Sequence, residues 1–158
     1  MIRTIKRDYG HALERECREH GVTIKIQGHP CTAILRGEKL MSRPAPKICD
    51  CIVLRGNCSF LIELKSTHLD YESIVEQFRS GYRKLVCILR SVSKRPSDVF
   101  FVLVAKDYGN RYAKQRLKHG FKIGSKKCRI ILAESGDCLD SVAKPRLGVS
   151  FSGGGKKS

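Results

Sequence analysis

ICDCIVLRGNCSFLIELK, residues 48–65, is the stretch on which the reading of this chain turns. Two runs of aliphatic, β-branched and aromatic residues, 48–54 and 59–64, flank Gly56-Asn57, a pair suited to a two-residue bend. The stretch therefore predicts an antiparallel hairpin. With the bend centred there, Arg55 faces Cys58, Val53 faces Phe60, Cys51 faces Ile62 and Cys49 faces Leu64. On the opposite face Leu54 meets Ser59, Ile52 meets Leu61, and Asp50 meets Glu63. Lys65 lies two residues beyond Glu63 on that same face. Facing residues have Cβ atoms about 4.5–5.5 Å apart, a distance at which like charges repel. Two carboxylates among Ile, Leu and Cys cannot both stay ionised without help. A divalent cation resolves the conflict, and hard oxygen ligands completed by water or phosphate suit Mg²⁺, with Mn²⁺ as the alternative. Two blander readings remain open: a plain Glu63–Lys65 salt pair, or Asp50 solvated at a strand end.

The chain around this hairpin is strongly basic. Its 158 residues carry 31 Lys and Arg against 15 Asp and Glu, a formal charge of +16. That excess points to a polyanionic partner, nucleic acid first. No apolar run is long enough to span a bilayer, and the start, MIRTIKRDYG, lacks the apolar core of a signal peptide. An intracellular, cytoplasmic protein without a membrane partner is expected. The eight cysteines include no CxxC pair, which weighs against a zinc ribbon. Cys49 and Cys51 read as small buried hydrophobes, His29 and Cys31 lack a second ligand pair, and a disulfide is left open.

Outward from the hairpin, helical spacing of Ile5, Tyr9, Ala12, Leu13 and Cys17 predicts a first helix over 3–20, stopped by Gly21. Alternation predicts a strand over 22–27. Residues 28–47, with Gly28, Pro30, Gly37, Pro44 and Pro46, read as a loop or broken strand. A helix follows Asp70, a suitable N-cap, and Pro96 ends that region. Residues 99–105 read as a buried strand, 110–119 as a short basic helix and 128–133 as a last strand. Residues 1–151 are expected to form one domain, an α/β fold whose mixed β-sheet is flanked by helices on both faces. Residues 152–158 read as a disordered Gly/Lys-rich tail.

Cys49-Asp50 followed by Glu63-Leu64-Lys65 resembles the PD-(D/E)xK nuclease motif, with Cys where that motif usually has Pro. Within that superfamily the chain is most similar to the archaeal Holliday-junction resolvases. Gly10-His11-Ala12-Leu13-Glu14-Arg15-Glu16 is similar to their first helix, Leu64-Lys65-Ser66-Thr67 to the end of their catalytic strand, and Val75-Glu76-Gln77 to their following helix. The likeness covers roughly the first 90 residues.

The resemblance implies a restriction-endonuclease-like fold and a Mg²⁺-dependent DNA endonuclease, selective for structures such as four-way junctions and acting as a homodimer. It implies Asp50, Glu63 and the Leu64 carbonyl as metal ligands, Glu14 as a further acid, and Lys65 beside the attacking water or the developing charge. Gln77 reads either as lining the site or, preferred, as capping a core edge. Arg3, Lys6, Arg7, Arg36, Lys39, Arg43 and Lys47 are candidates for phosphate contacts. The alternatives are a non-catalytic nucleic-acid-binding protein on the same scaffold, and a restriction or repair nuclease with another DNA or RNA substrate.

Overall fold

The computed structural model describes residues 1–42, 44–109 and 111–147. Arg43 and the 152–158 tail lie outside the described residues. The chain runs α1 (Ile2–Asp8), a short 3-10 turn, β1 (Leu13–Glu14), β2 (Cys17–Glu19), β3 (Val22–Ile24), β4 (Thr32–Arg36) and a second 3-10 turn. It continues β5 (Cys51–Arg55), β6 (Cys58–Lys65), α2 (Tyr71–Ser91), β7 (Asp98–Ala105), α3 (Arg111–Lys118), β8 (Phe121–Ile123), β9 (Lys126–Cys128), β10 (Ile130–Glu134) and α4 (Leu139–Leu147). A six-stranded sheet in the order β1-β4-β5-β6-β7-β10 forms the centre. Its first four strands pair antiparallel, whereas β6-β7 and β7-β10 are parallel. The fold is thus α/β with a mixed sheet.

The predicted bend is observed: Arg55 pairs with Cys58, and the ladder holds through Val53–Phe60 to Cys51–Ile62. There it stops. The chain bends at Asp50, so Cys49 does not pair with Leu64; its N–H donates instead to the Gln77 carbonyl at 3.1 Å. Cys49 consequently packs with Ile52 and Leu61 on the α2 side, while Leu64 lies with Cys51 and Phe60 on the other.

Both faces are covered. On one, Ile74, Phe78, Leu85 and Ile88 of α2 press on Ile52, Leu54, Leu61 and Leu103. Phe78 is fully buried and meets Phe101 edge-on with centroids 5.5 Å apart, so its truncation to Ala costs about 3–5 kcal/mol. Asp70 caps α2 as expected, its carboxylate accepting from the Ser73 N–H at 3.3 Å. The other face carries the β2–β3 hairpin and Leu139 and Ala143 of α4.

The first helix is much shorter than its spacing predicted, ending at Asp8. Ile2 and Ile5 bury a single short stripe. Beyond it Leu13 joins the central sheet and Cys17 a separate hairpin, turned by His20 and Gly21 at φ 46° and 77°. Strand 22–27 is likewise shorter, and the region 28–47 holds a full sheet strand, β4, which pairs with both β1 and β5. Its Thr-Ala-Ile-Leu core is buried, and interior burial outweighs the flanking Gly and Pro punctuation. The β8–β9 hairpin and α4 were not foreseen. Among the described residues no helix is long and apolar enough to cross a membrane.

Candidate active site at the end of the central hairpin

The start of β5 and the end of β6 meet at one edge of the sheet, and Asp50 sits just before β5. Its Oδ2 accepts from the Leu64 N–H at 2.7 Å, and its carbonyl accepts from the Gly37 N–H at 2.8 Å. Leu64 thus meets Asp50 through its amide. Glu63 is 1% exposed. Its Oε1 lies 2.7 Å from the Lys65 Nζ, whereas Oε2 is buried without a hydrogen-bond partner. Lys65 also donates to the Gln77 Oε1 at 3.2 Å, an oxygen that accepts from the Ser73 hydroxyl at 3.3 Å.

One residue beyond the expected set, Glu19, completes this corner, and Gln77 joins it. Glu19, at the end of β2, lines a hollow of about 380 Å³ together with Asp50, Gln77, Arg36 and Lys47. Arg36 anchors it: Nη2 lies 2.5 Å from Glu19 Oε2, and Nη1 donates to the Arg18 carbonyl at 2.9 Å. Gln77 supports Lys65 rather than only capping the core. A disulfide between Cys17 and Cys51, S–S 2.10 Å, ties β2 to β5 one residue from Asp50 and two from Glu19.

The electrostatics follow from crowding. Burial raises the Asp50 carboxyl to about 9, with the Glu63 charge and its hydrogen bond to Glu19 adding to the rise. Burial also raises Glu63, against the opposing pull of Lys65 and the Asp50 backbone. Glu19 is held below the usual range, first by the hydrogen bond from Asp50, then by Arg36 against the cost of burial. Glu19, Asp50 and Glu63 thus share the corner with two cations, Lys65 and Arg36, Arg36 also meeting the exposed Glu38 at 3.5 Å, and a proton on Asp50 relieves the crowding of acids. The pattern is that of a site awaiting positive charge.

The remaining candidates are placed differently. Glu14 stands on β1 opposite Ile34, level with Val53 rather than Asp50, and pairs with Lys39 at 2.7 Å. It lines a separate hollow with Lys6 and His29, so the structure does not bring it to Asp50 and Glu63. Arg36 and Lys39 are committed to acids, and Arg7 pairs with Asp8 at 2.8 Å. Lys6 donates to the Pro30 carbonyl at 3.3 Å. Arg3 and Lys47 are exposed, and Lys47 is the one beside the site hollow.

Among the described residues no three His, Cys, Asp or Glu side chains converge as a ready-made metal cage. The donor set nevertheless fits a hard cation. It offers two neighbouring carboxylates, one of them with an unpartnered buried oxygen, Glu63 Oε2, and Mg²⁺ commonly takes the rest of its shell from water and phosphate. No protein-family model matches the chain, and neither curated proteins nor solved structures yield a match.

Proposed function

We propose that this chain is a Mg²⁺-dependent endonuclease of the PD-(D/E)xK type with a restriction-endonuclease-like fold, hydrolysing phosphodiester bonds in DNA. The reading rests above all on one observation: Asp50, Glu63 and Lys65 meet at the end of a single hairpin, with one buried Glu63 oxygen unpartnered. The motif resemblance and the net charge of +16 agree with it. Mn²⁺ is an acceptable substitute for Mg²⁺, and four-way junctions are the preferred substrate that the resemblance implies.

In this mechanism Asp50 and Glu63 would hold the ion, which would supply charge neutralisation at the phosphate and acidify the attacking water. Asp50 would give up its proton to solvent as the ion binds, and Glu19 stays beside it at the mouth of the hollow. Lys65, held by Gln77, places positive charge where the phosphorane charge develops and aligns the attacking water. Arg36 positions Glu19. Exposed cations such as Lys47 and Arg3 position the backbone.

The test is a cleavage panel of four-way junction, flap, duplex and single strand, with and without Mg²⁺. Wild-type protein cuts at least one substrate with Mg²⁺, whereas Asp50→Ala and Lys65→Ala bind DNA but do not cut it. Metal-dependent cutting retained by both variants overturns the assignment. Salt-sensitive binding with no cutting of any substrate would favour the non-catalytic reading instead.

A further inference from the structure

A second basic surface lies at the opposite end of the sheet. Along β6 and β7 the pairing runs from Cys58–Asp98 to Lys65–Ala105. Seven steps of ~3.3 Å put the Asp98 end roughly 23 Å from Lys65. Two hollows there, about 530 and 800 Å³, share Tyr82 and Pro96. The rims carry Arg90, Lys94 and Arg95 from the end of α2 and the following loop, and Lys126, Lys127 and Arg129 from β9 and its flank. All six are exposed, and no acid lines either hollow.

Several arginines elsewhere sit against acids, Arg7, Arg36, Arg55, Arg79 and Arg116 among them, whereas what marks this surface is six exposed cations around two hollows that no acid lines. Among the described residues these six make no such pair. The floor between them is half apolar, formed by Tyr82, Val99 and Ile123.

We infer that this groove binds single-stranded nucleic acid, its six cations contacting phosphates and its floor taking an unpaired base beside Tyr82. A double helix presents its phosphates on a convex surface and keeps its bases stacked inside, so it cannot fill an apolar-floored hollow. A single strand offers both the charge and the exposed base that such a groove matches. The inference rests on the proposal that the chain acts on nucleic acid. It adds a strand-holding surface separate from the acidic corner, suited to substrates with an unpaired arm.

The experiment is fluorescence anisotropy with a labelled twelve-nucleotide oligo-dT and the full chain in EDTA. It compares wild type, the triple variant Lys126→Ala/Lys127→Ala/Arg129→Ala, and a control triple Arg15→Ala/Lys25→Ala/Lys144→Ala that removes equal charge elsewhere. The groove variant is expected to lose at least about tenfold in affinity. Its slope of log K against log salt should shrink by about 2, as expected for three lost single-strand phosphate contacts. The control should lose less than about threefold. Tyr82→Ala should lose about tenfold and Tyr82→Phe little, since stacking needs the ring and not the hydroxyl.

Equal losses in both triples, or none in the groove variant, overturn the inference. So does displacement of the oligonucleotide by poly-glutamate of equal charge as readily as by unlabelled oligo-dT, which would make the occupant an acidic polypeptide. Because binding is read without metal and without cutting, an inactive acidic corner leaves every one of these outcomes interpretable.

Discussion

Replacing Asp50 with Asn should stabilise the metal-free protein at neutral and alkaline pH. The Asp50 carboxyl is raised from 3.8 to about 9 by burial and by Glu63, so between those values the folded state holds a proton that the unfolded chain has released. The stability slope is 2.303RT times the protons bound unfolded minus those bound folded. That difference is negative here, so stability falls as pH rises from about 4 towards 9, by up to about 1.4 kcal/mol per unit for this one group. At pH 7, roughly three units above the unfolded value, the cost is about 4 kcal/mol on that arithmetic. Solvent access from the hollow reduces it to about 2 kcal/mol. Asn reproduces the hydrogen bonding of the protonated acid: its oxygen accepts from the Leu64 N–H and its amide donates to Glu19. It carries no proton to lose. Urea unfolding in EDTA at pH 5, 7 and 9 reads the effect. Asp50→Asn should gain little at pH 5, gain about 2 kcal/mol at pH 7, and show a flatter pH slope than wild type. If the variant is less stable than wild type at pH 8, with an unchanged slope, Asp50 is not a buried acid crowded by its neighbours.

Mg²⁺ or Mn²⁺ at a hundred times its dissociation constant should stabilise wild type by about 2.7 kcal/mol in thermal unfolding. Glu63→Gln should show no such gain, and the wild-type affinity should tighten as pH rises because the ion competes with the Asp50 proton; a pH-independent gain shared by both proteins refutes the site. Replacing Cys17 and Cys51 together by Ala should cost about 3–4 kcal/mol from the lost 34-residue link, measured by denaturation, and an unchanged midpoint means that the link contributes nothing. A Cβ at position 81 would lie 2.5 Å from the Cys49 Sγ, so Gly81→Ala should destabilise by about 1–3 kcal/mol despite its higher helix propensity. Gly81→Ala with Cys49→Ala should recover most of that loss, and failure to recover it places the strain elsewhere.

The hairpin was legible because two independent signals agreed: a Gly-Asn bend and a short continuous apolar run on each side of it. They fixed the pairing down to Cys51–Ile62 and so brought Asp50 near Glu63. Where the signals conflicted, the sequence misled. Residues 3–20 carry apolar side chains at helical spacing, yet those side chains serve a short helix, a sheet edge and a separate hairpin. Only His20-Gly21 followed by Val22-Thr23-Ile24 hinted at a turn there. Glu19 was hidden by the same misreading, since a strand end points its carboxylate inward where a helix would leave it on a polar face. Gln77 was raised by the resemblance but left to a core-capping role, because the contact that decides it is with a lysine twelve residues earlier in the chain. The strand at 32–36 was obscured by glycines and prolines that punctuate its flanks and not its body.

Glu19 rather than Glu14 stands beside Asp50 because of how the corner is assembled. A carboxylate serves a cation only if something holds it there against its own repulsion from the other acids. Glu14 has Lys39 as its partner on an exposed edge, a pair that solvent screens and that contributes little. Glu19 has a half-buried arginine, a backbone that arginine also grips, and a disulfide two residues away joining its strand to the strand after Asp50. Those restraints come from β2, β4 and β5, three segments that sequence proximity does not connect. They hold Glu19 against Asp50 while the chain is metal-free, with the Asp50 proton standing where a cation's charge would act. In the proposed site the acid beside Asp50 is therefore the one that the tertiary structure restrains, and the run around Glu14 offers no such restraint.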